Sequence, residues 1–265
     1  RDFAEKNEVS ILSIWATVLA VYMGRLKTDS EKFFIGTTVL NRYTEKDFNT
    51  AGMFINTVPV LVEVNFKKTF IESLEKTEDT LMSVFRHQKY NYEDMITDVR
   101  KDNYNCDRLY DIILSYMNAT IGGADEGVSS TWHHNGRQNE SLQINFDDRD
   151  NEGIFKVQYD YQTEKFTQKE IENLHNHLCK LLFDAIENPG KKIADLEMLS
   201  DEEKQKLLCD FNNTSADYPR DKCAHELFEE QVEKSPDKIA VVACDKTLTY
   251  RELNEEANRI ASGLI

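Results

Sequence analysis

The spacing of apolar residues changes from a helical period to a strand period several times in the first 190 residues. Leu12, Trp15, Leu19 and Tyr22 recur at three- and four-residue intervals, which predicts an amphipathic helix over residues 9–26. Residues 32–39 are short, β-branched and aromatic-rich, as in a buried strand. A chain with both periods is predicted to combine helices with a sheet.

The same criteria predict the remaining elements of this region. Further helices are expected at residues 70–85, at 92–99 and from the capping box Thr167 to Glu170 to about residue 187. Residues 41–50 are predicted to be a loop. Further strands are expected at residues 58–64, 112–117, 142–146 and 155–161. Because helices and strands do not alternate strictly, we predict the α/β class, as a sandwich lobe with a mixed sheet.

The character of the chain changes after Gly190. We predict a first domain at residues 1–190, a linker at 191–221 and the fragment of a further domain at 222–265. The last part is too short to bury a core alone. The chain has no initiator Met and starts within a pattern, so we expect a piece of a longer protein.

Charge and composition narrow the classes of partner. Lys and Arg number 32 against 48 Asp and Glu, a formal net charge of −16, which argues against nucleic-acid binding. No apolar run approaches the ~20 residues that span a bilayer, so no membrane partner is expected. The five cysteines are scattered, which favours a cytoplasmic location and predicts no metal site.

Four short segments resemble, in order, motifs of the condensation domains of nonribosomal peptide synthetases. Residues 36–42 (G-T-T-V-L-N-R) resemble the segment G-T-x-x-x-x-R, and residues 52–57 (G-M-F-I-N-T) resemble V-G-x-F-V-N-T. Residues 87–93 resemble H-Q-x-x-P-F-E, with Asn91 where proline is usual. Residues 108–111 keep only the Leu-aromatic step of R-x-x-P-L-F-x. Their order and spacing make the resemblance specific.

The end of the chain resembles the opening of an adenylation domain. The segments that carry this resemblance are F-N-N-T at 211–214, Y-P at 218–219, H-E-L-F-E at 225–229, P-D-K-I-A at 236–240 and L-T-Y-R-E-L-N at 248–254. A condensation segment followed by an adenylation segment is the module order of these synthetases.

The resemblance implies a fold similar to chloramphenicol acetyltransferase, with two lobes that meet at a tunnel. It also implies four partners: the N-terminal condensation lobe, the adenylation domain, and an upstream and a downstream carrier domain. The acceptor amine attacks the donor thioester and forms a peptide bond. No cofactor is expected to be covalently bound, because phosphopantetheine is carried by the carrier domains. ATP is expected only for the complete adenylation domain.

The resemblance places the catalytic His in an H-H-x-x-x-D-G segment upstream of Arg1. The pair His133-His134 is not a substitute, because it follows the G-T-x-x-x-x-R segment and lacks the Asp and Gly. We interpret it as a surface loop. We therefore expect this fragment to contain no catalytic residue, to fold in part and to be inactive alone.

Arg42 is the residue of this half with the clearest implied role. The matching Arg of the family reaches across the lobe interface to the Asp of the H-H-x-x-x-D-G segment, and a guanidinium can bind a carboxylate in bidentate fashion. Asn56 and Thr57 either line the tunnel or form local turn contacts. Gly36, Gly52, His87, Gln88 and Glu93 are interpreted as structural motif residues.

Other candidates are weaker. His175 and His177 point to different faces of a helix and are not expected to share a metal. Residues 122–125 resemble the carrier segment G-G-x-S, but Asp125 replaces its serine, so no phosphopantetheine can attach there. A non-catalytic carrier-docking lobe and a heterocyclising relative remain alternatives. An epimerisation domain is disfavoured by Asn56, Thr57 and the adenylation opening.

Overall fold

The computed structural model describes residues 1–27, 31–102, 106–117, 136–148, 155–244 and 246–264. The chain divides into two compact units, Arg1–Gln205 and Lys206–Ile265. Whether the predicted boundaries at 190 and 221 separate functional domains stays a prediction.

The first unit contains most of the secondary structure. Its helices are α1 (Asp2–Lys6), α2 (Ile11–Leu26), α3 (Glu45–Asn49), α4 (Phe70–Arg86), α5 (Tyr92–Asp102), α6 (Gln168–Glu187) and α7 (Asp201–Gln205), with a 3₁₀ turn at Ile193–Asp195. Its strands are β1 (Lys32–Val39), β2 (Asn56–Glu63), β3 (Ile112–Met117), β4 (Leu142–Asp147) and β5 (Lys156–Tyr161).

The five strands form one sheet in the order β2-β1-β3-β4-β5. The outer pairs, β1 with β2 and β4 with β5, are antiparallel, whereas β3 runs parallel to both β1 and β4. The sheet is therefore mixed, and the predicted α/β class with a mixed sheet is confirmed.

The core lies between one face of the sheet and helices α2, α4 and α6. Alternate strand residues such as Ile35, Leu114 and Ile144 point into it, as the two-residue period requires. Trp15 of α2 stacks on Phe146 of β4 with ring centroids 4.0 Å apart.

Helix α2 differs from its prediction. The spacing of its large residues predicts one apolar face, but every residue from Leu12 to Val21 is buried. The helix packs against the sheet and also against α4 and α6. The buried hydroxyls of Ser13 and Thr17 donate hydrogen bonds to backbone carbonyls one turn earlier, those of Ser10 and Ser13. The predicted loop at 41–50 also differs, because α3 forms there with a Thr44–Asp47 capping box.

The segment that follows α6 packs against the rest of the first unit. Ile193 and Leu196 are buried. Arg25 of α2 donates from Nη2 to the Ile193 carbonyl at 2.7 Å, and the Ile193 N–H donates to the Lys68 carbonyl at 2.9 Å. Residues 191–196 are thereby attached to α2 and to the start of α4.

Helix α7 is attached to α6 by a contact between two titratable side chains, Glu203 and His177. Glu203 accepts from the Ser200 backbone N–H at 2.8 Å, and its Oε1 lies 2.9 Å from Nε2 of His177. These hydrogen bonds, that of Ser200 first and then that of His177, lower the pKa of Glu203 to about 2. The charged carboxylate therefore stabilises the folded position of α7.

The second unit has a helix–hairpin–helix arrangement. A π-helical turn (Lys206–Asp210) precedes α8 (Ala224–Lys234), the antiparallel strands β6 (Ile239–Val242) and β7 (Thr247–Thr249), and α9 (Tyr250–Leu264). None of its described residues is buried. Ile239, Val242, Ile260 and Leu264 are all more than half exposed.

No helix in the described part of the chain combines the length and the apolar character that a membrane span needs.

Truncation of the α6 core face should destabilise the first unit. Leu181 is 1% exposed and Phe183 is 64% exposed on the same helix. Leu181→Ala should lower the free energy of unfolding by about 2–5 kcal/mol, because it leaves a cavity. Phe183→Ala should change it by no more than about 0.5 kcal/mol. Urea unfolding followed by circular dichroism measures both, and equal effects would contradict the assigned core.

Acid should weaken the α7 attachment. The pKa of Glu203 is depressed in the folded chain, so its stabilisation is fully present above the ordinary value of 4.5 and is lost as the pH falls towards about 2. The wild type should therefore have a higher melting temperature than Glu203→Gln near neutral pH. This difference should disappear as the pH falls from 4.5 to about 2. Glu202→Gln, one residue earlier, is the control. A difference that does not depend on pH would contradict the assignment.

Candidate functional site

The four motif segments meet around Tyr110. This residue precedes β3, is only 8% exposed, and lays its ring against β1 at Gly36. A Cβ atom at Gly36 would lie 2.6 Å from Cδ2 and Cε2 of the ring, closer than atoms can approach. Gly36 is therefore needed because the ring occupies the space of a side chain.

Two other motif residues complete the contacts of Tyr110. The side chain of Thr57 on β2 lies near its hydroxyl, and burial raises the pKa of Tyr110 well above its ordinary value. Its ring lies 5.2 Å, centroid to centroid, from that of Tyr92 at the start of α5. We call Gly36, Thr57, Tyr92 and Tyr110 the motif junction. It joins β1, β2, α5 and the approach to β3.

Gln88 joins three further segments beside the junction. Its Oε1 accepts from the Asn41 N–H at 3.2 Å, and its Nε2 donates to the Phe85 carbonyl at 2.9 Å. Its own carbonyl accepts from Nδ2 of Asn56 at 3.2 Å. The turn between α4 and α5 is thereby tied to the ends of β1 and β2. Asn56 also accepts the N–H of Thr57 at 2.9 Å, so both residues make local contacts here.

His87 and Glu93 lie at the two sides of the same turn and are exposed. His87 is the C-cap of α4: its N–H donates to the Val84 carbonyl at 2.9 Å, and its Nδ1 lies 2.8 Å from the Ser83 carbonyl. The N–H of Glu93 donates to Oδ1 of Asn91 at 3.0 Å in the first turn of α5. The contacts of both residues are therefore local to the helix ends.

Arg42 follows β1 and holds together residues 43–54, a connection that contains α3 and that we call the brace loop. Its guanidinium donates to the carbonyls of Asp47, Thr50 and Gly52, the last two at 2.9 Å each. It also stacks on Phe54, with Cζ 3.9 Å from the ring centroid. A guanidinium has five N–H donors, so these three bonds leave two for another acceptor.

A row of polar residues crosses the sheet face opposite the core. Oγ1 of Thr38 lies 2.5 Å from Oγ of Ser115, which is only 2% exposed. Ser115 is paired in register with Asn145 of β4, which is 4% exposed and donates to Asp160 of β5 at 3.1 Å. This row was not predicted from the sequence. Its signal is a polar residue between two apolar ones in strands β3 and β4.

Several weaker candidates do not form a site in the described part of the chain. His175 contacts the Tyr159 hydroxyl at 3.0 Å, whereas His177 contacts Glu203, so the two imidazoles have separate partners. No group of three or more His, Cys, Asp or Glu side chains among the described residues is arranged to hold a metal ion. The pair His133-His134 and residues 122–125 lie outside the described residues.

The mixed sheet, the helices on one face and the motif junction together define a lobe of the condensation-domain class. The sequence profile of the family described as "Condensation domain" matches residues 1–208, and that of "AMP-binding enzyme" matches residues 228–265. The chain therefore belongs to the condensation domain family. The predicted resemblance to a condensation lobe followed by the start of an adenylation domain is confirmed.

Curated relatives are subunits of peptide synthetases. The chain is 32% identical over 269 residues to surfactin synthase subunit 1 of Bacillus subtilis (strain 168), covering 99% of this chain and 7% of that protein. It is 33% identical over 255 residues to gramicidin S synthase 2 of Brevibacillus brevis, covering 95% of this chain and 6% of that protein. The chain thus spans less than a tenth of the length of either relative.

Solved structures share the fold. A four-domain nonribosomal peptide synthetase bound to AMP and glycine matches with a TM-score of 0.71 and 18% identity, covering 99% of this chain and 21% of that chain. The first condensation domain of the CDA synthetase matches with a TM-score of 0.62 and 16% identity, covering 75% of this chain and 44% of that chain. At these identities the likeness concerns the fold alone.

A methyl group at Gly36 should disrupt the motif junction. Gly36→Ala forces the buried Tyr110 ring to move, and overpacking of this kind costs about 1–3 kcal/mol. Gly190→Ala is the matched control, since no atom lies within 4 Å of its added Cβ. In a Tyr110→Ala background, Gly36→Ala should cost much less. Urea unfolding of the four variants tests this, and additive costs would contradict the contact.

Proposed function

We propose that this chain forms one wall of a peptide-bond-forming condensation site in a nonribosomal peptide synthetase. In the complete enzyme, the amine nitrogen of a carrier-bound amino acid attacks the carbonyl carbon of the donor thioester. The C–S bond breaks, the thiol stays on the upstream phosphopantetheine arm, and the amine gives up a proton as the amide forms. The observation that carries this proposal is the convergence of the four condensation motifs on the motif junction.

The proton transfer is assigned to a His of the H-H-x-x-x-D-G segment, which we expect before Arg1. General acid–base assistance of this kind is typically worth about 10²–10⁴-fold. The residues of this chain would position the amine and the thioester and would not accept the proton. The fragment alone is therefore expected to be inactive.

Arg42 is proposed to connect the two halves of the site. Its present acceptors are neutral backbone carbonyls, so its charge is not used by an acidic side chain through those bonds. The two remaining N–H donors suit a carboxylate oxygen pair, as bidentate guanidinium contacts do. The proposed acceptor is the Asp of the H-H-x-x-x-D-G segment. Arg42 would then organise the site without transferring a proton.

The polar row of Thr38, Ser115 and Asn145 is proposed to line the substrate channel. An acceptor amine and a thioester carbonyl are polar groups that need partners when they leave water. Hydroxyl and amide groups on a rigid sheet can supply such partners, and Asn145 is held in place by its bond to the Asp160 carboxylate. Thr57 of the motif junction and Asn56 beside it support the channel through their local contacts.

The proposed partners are the N-terminal lobe, the adenylation domain and the two carrier domains, in the cytoplasm. Phosphopantetheine would enter on the carriers, and ATP would bind only the complete adenylation domain. A non-catalytic docking lobe and a heterocyclising subtype are the alternatives. Replacement of the upstream His in the intact synthetase distinguishes the proposal from the first alternative. If this lobe only docks carriers, the replacement should leave carrier-to-carrier transfer unchanged. Analysis of the product for a heterocycle distinguishes the proposal from the second alternative.

Arg42→Ala should lower condensation in the intact synthetase at least about tenfold, equivalent to about 1.4 kcal/mol, because the carboxylate loses its partner. Arg42→Lys should fail to restore it, since an ammonium lacks the planar fork. Arg100→Ala is the control, because Arg100 is half exposed and pairs with the exposed Asp107. Transfer between carriers is measured by mass spectrometry of the loaded arms. Normal turnover with normal thermal stability in Arg42→Ala would contradict the assigned role.

A further inference from the structure

Asn41 has a backbone conformation that residues with a side chain rarely adopt. Its φ is +52°, and Glu8 is the only other non-glycine residue with a positive φ in the described part of the chain. Asparagine tolerates this left-handed region better than most residues do, because its side chain is short and polar. Asn41 lies two residues after the end of β1 and directly before Arg42, so the unusual turn falls between the sheet and the brace loop.

The left-handed turn determines where the side chain of Arg42 goes. On one side, the Asn41 N–H is held by Oε1 of Gln88 at 3.2 Å. On the other side, Arg42 reaches the Thr50 and Gly52 carbonyls and the ring of Phe54. Each residue has only two soft backbone dihedrals. An ordinary negative φ at Asn41 would therefore rotate the following chain and take the guanidinium away from these acceptors.

The amide group of Asn41 does not explain the choice of residue. Its Oδ1 atom is buried and accepts no hydrogen bond from any residue that the structure describes. Buried polar atoms that serve a structural purpose are usually paired. The requirement at this position is therefore for a backbone conformation, which glycine can also adopt without steric cost.

We propose that Asn41 is a positioning residue whose left-handed backbone aims Arg42 at the brace loop. The consequence for condensation rests on the function proposed above for Arg42, because the same turn would direct its two remaining N–H donors to the partner carboxylate. The effect on the brace loop itself does not rest on that function.

Hydrogen–deuterium exchange of the intact synthetase tests the positioning directly, in peptides that cover residues 43–54. Asn41→Ala and Arg42→Ala should each raise exchange there several-fold. Asn41→Gly and Asn41→Asp should exchange like the wild type, because both residues tolerate a positive φ. The double variant Asn41→Ala with Arg42→Ala should exchange no faster than Arg42→Ala alone. Leu40→Ala, which removes a 60% exposed side chain next to Asn41, is the control and should have no effect.

Three results of this experiment would overturn the proposal. In the first, Asn41→Gly raises exchange as much as Asn41→Ala, which would assign the role to the side-chain amide. In the second, Asn41→Ala leaves the brace loop protected. In the third, the two substitutions have additive effects, which would mean that they act independently. Should Asn41→Ala fail to fold, the normal behaviour of Asn41→Gly and Asn41→Asp is still required.

Condensation turnover of the same variants separates this proposal from the proposed function. Normal turnover in Arg42→Ala would refute the role of Arg42 in condensation, whereas the exchange results would still decide the role of Asn41. Where Arg42→Ala does lower turnover, Asn41→Ala should lower it too and Asn41→Gly should restore it. Normal turnover in Asn41→Ala in that case would overturn the link from Asn41 through Arg42 to the reaction.

Discussion

The ring of Tyr110 lies against the backbone of β1 at a point where any side chain would fill the same space. Tyr110 lies two residues before β3, which pairs in parallel with β1 from Gly36 onwards, so this contact is made where the pairing of these two strands begins. The hydroxyl lies near Thr57 on β2, and the ring is tilted by 51° against that of Tyr92 at the start of α5. The end of the β1–β2 hairpin, the turn between α4 and α5 and the polar face of the sheet are all held relative to one another through this buried ring.

The brace loop shows how charge is distributed next to the junction. Asp47 directs its carboxylate to the backbone N–H groups of Tyr43 and Thr44, and those hydrogen bonds lower its pKa. Arg42 bonds the carbonyl of Asp47 instead of the carboxylate. The two opposite charges are thus held in one loop while each bonds the backbone. A guanidinium arranged in this way can still attract a carboxylate from another part of the protein, which a fully paired one could not do without losing its partner.

The sequence predicted most elements, and the differences have physical causes. Helix α2 was located correctly, but the intervals between its large residues were interpreted as one apolar face, although the helix is apolar on nearly all sides, as in a helix that neighbouring helices cover. Short α3 was missed because a five-residue helix has no apolar period, although its Thr44–Asp47 capping box was readable. Of the site residues, Gly36, Arg42, Asn56, Thr57 and Gln88 were named from motifs. The tertiary contacts that these residues make could not be predicted from the sequence.

The sequence by itself determined the order of the strands and of the longer helices, the family, and the succession of a condensation segment and an adenylation segment. These follow from local periods and from short motifs, which report on residues near one another in the chain. Only the tertiary structure decided that Gly36, Thr57, Tyr92 and Tyr110 meet, that Arg42 bonds three carbonyls, and that Ser115 lies beside Asn145. Those contacts depend on the strand order β2-β1-β3-β4-β5 and on its register, which bring together residues that no local pattern relates.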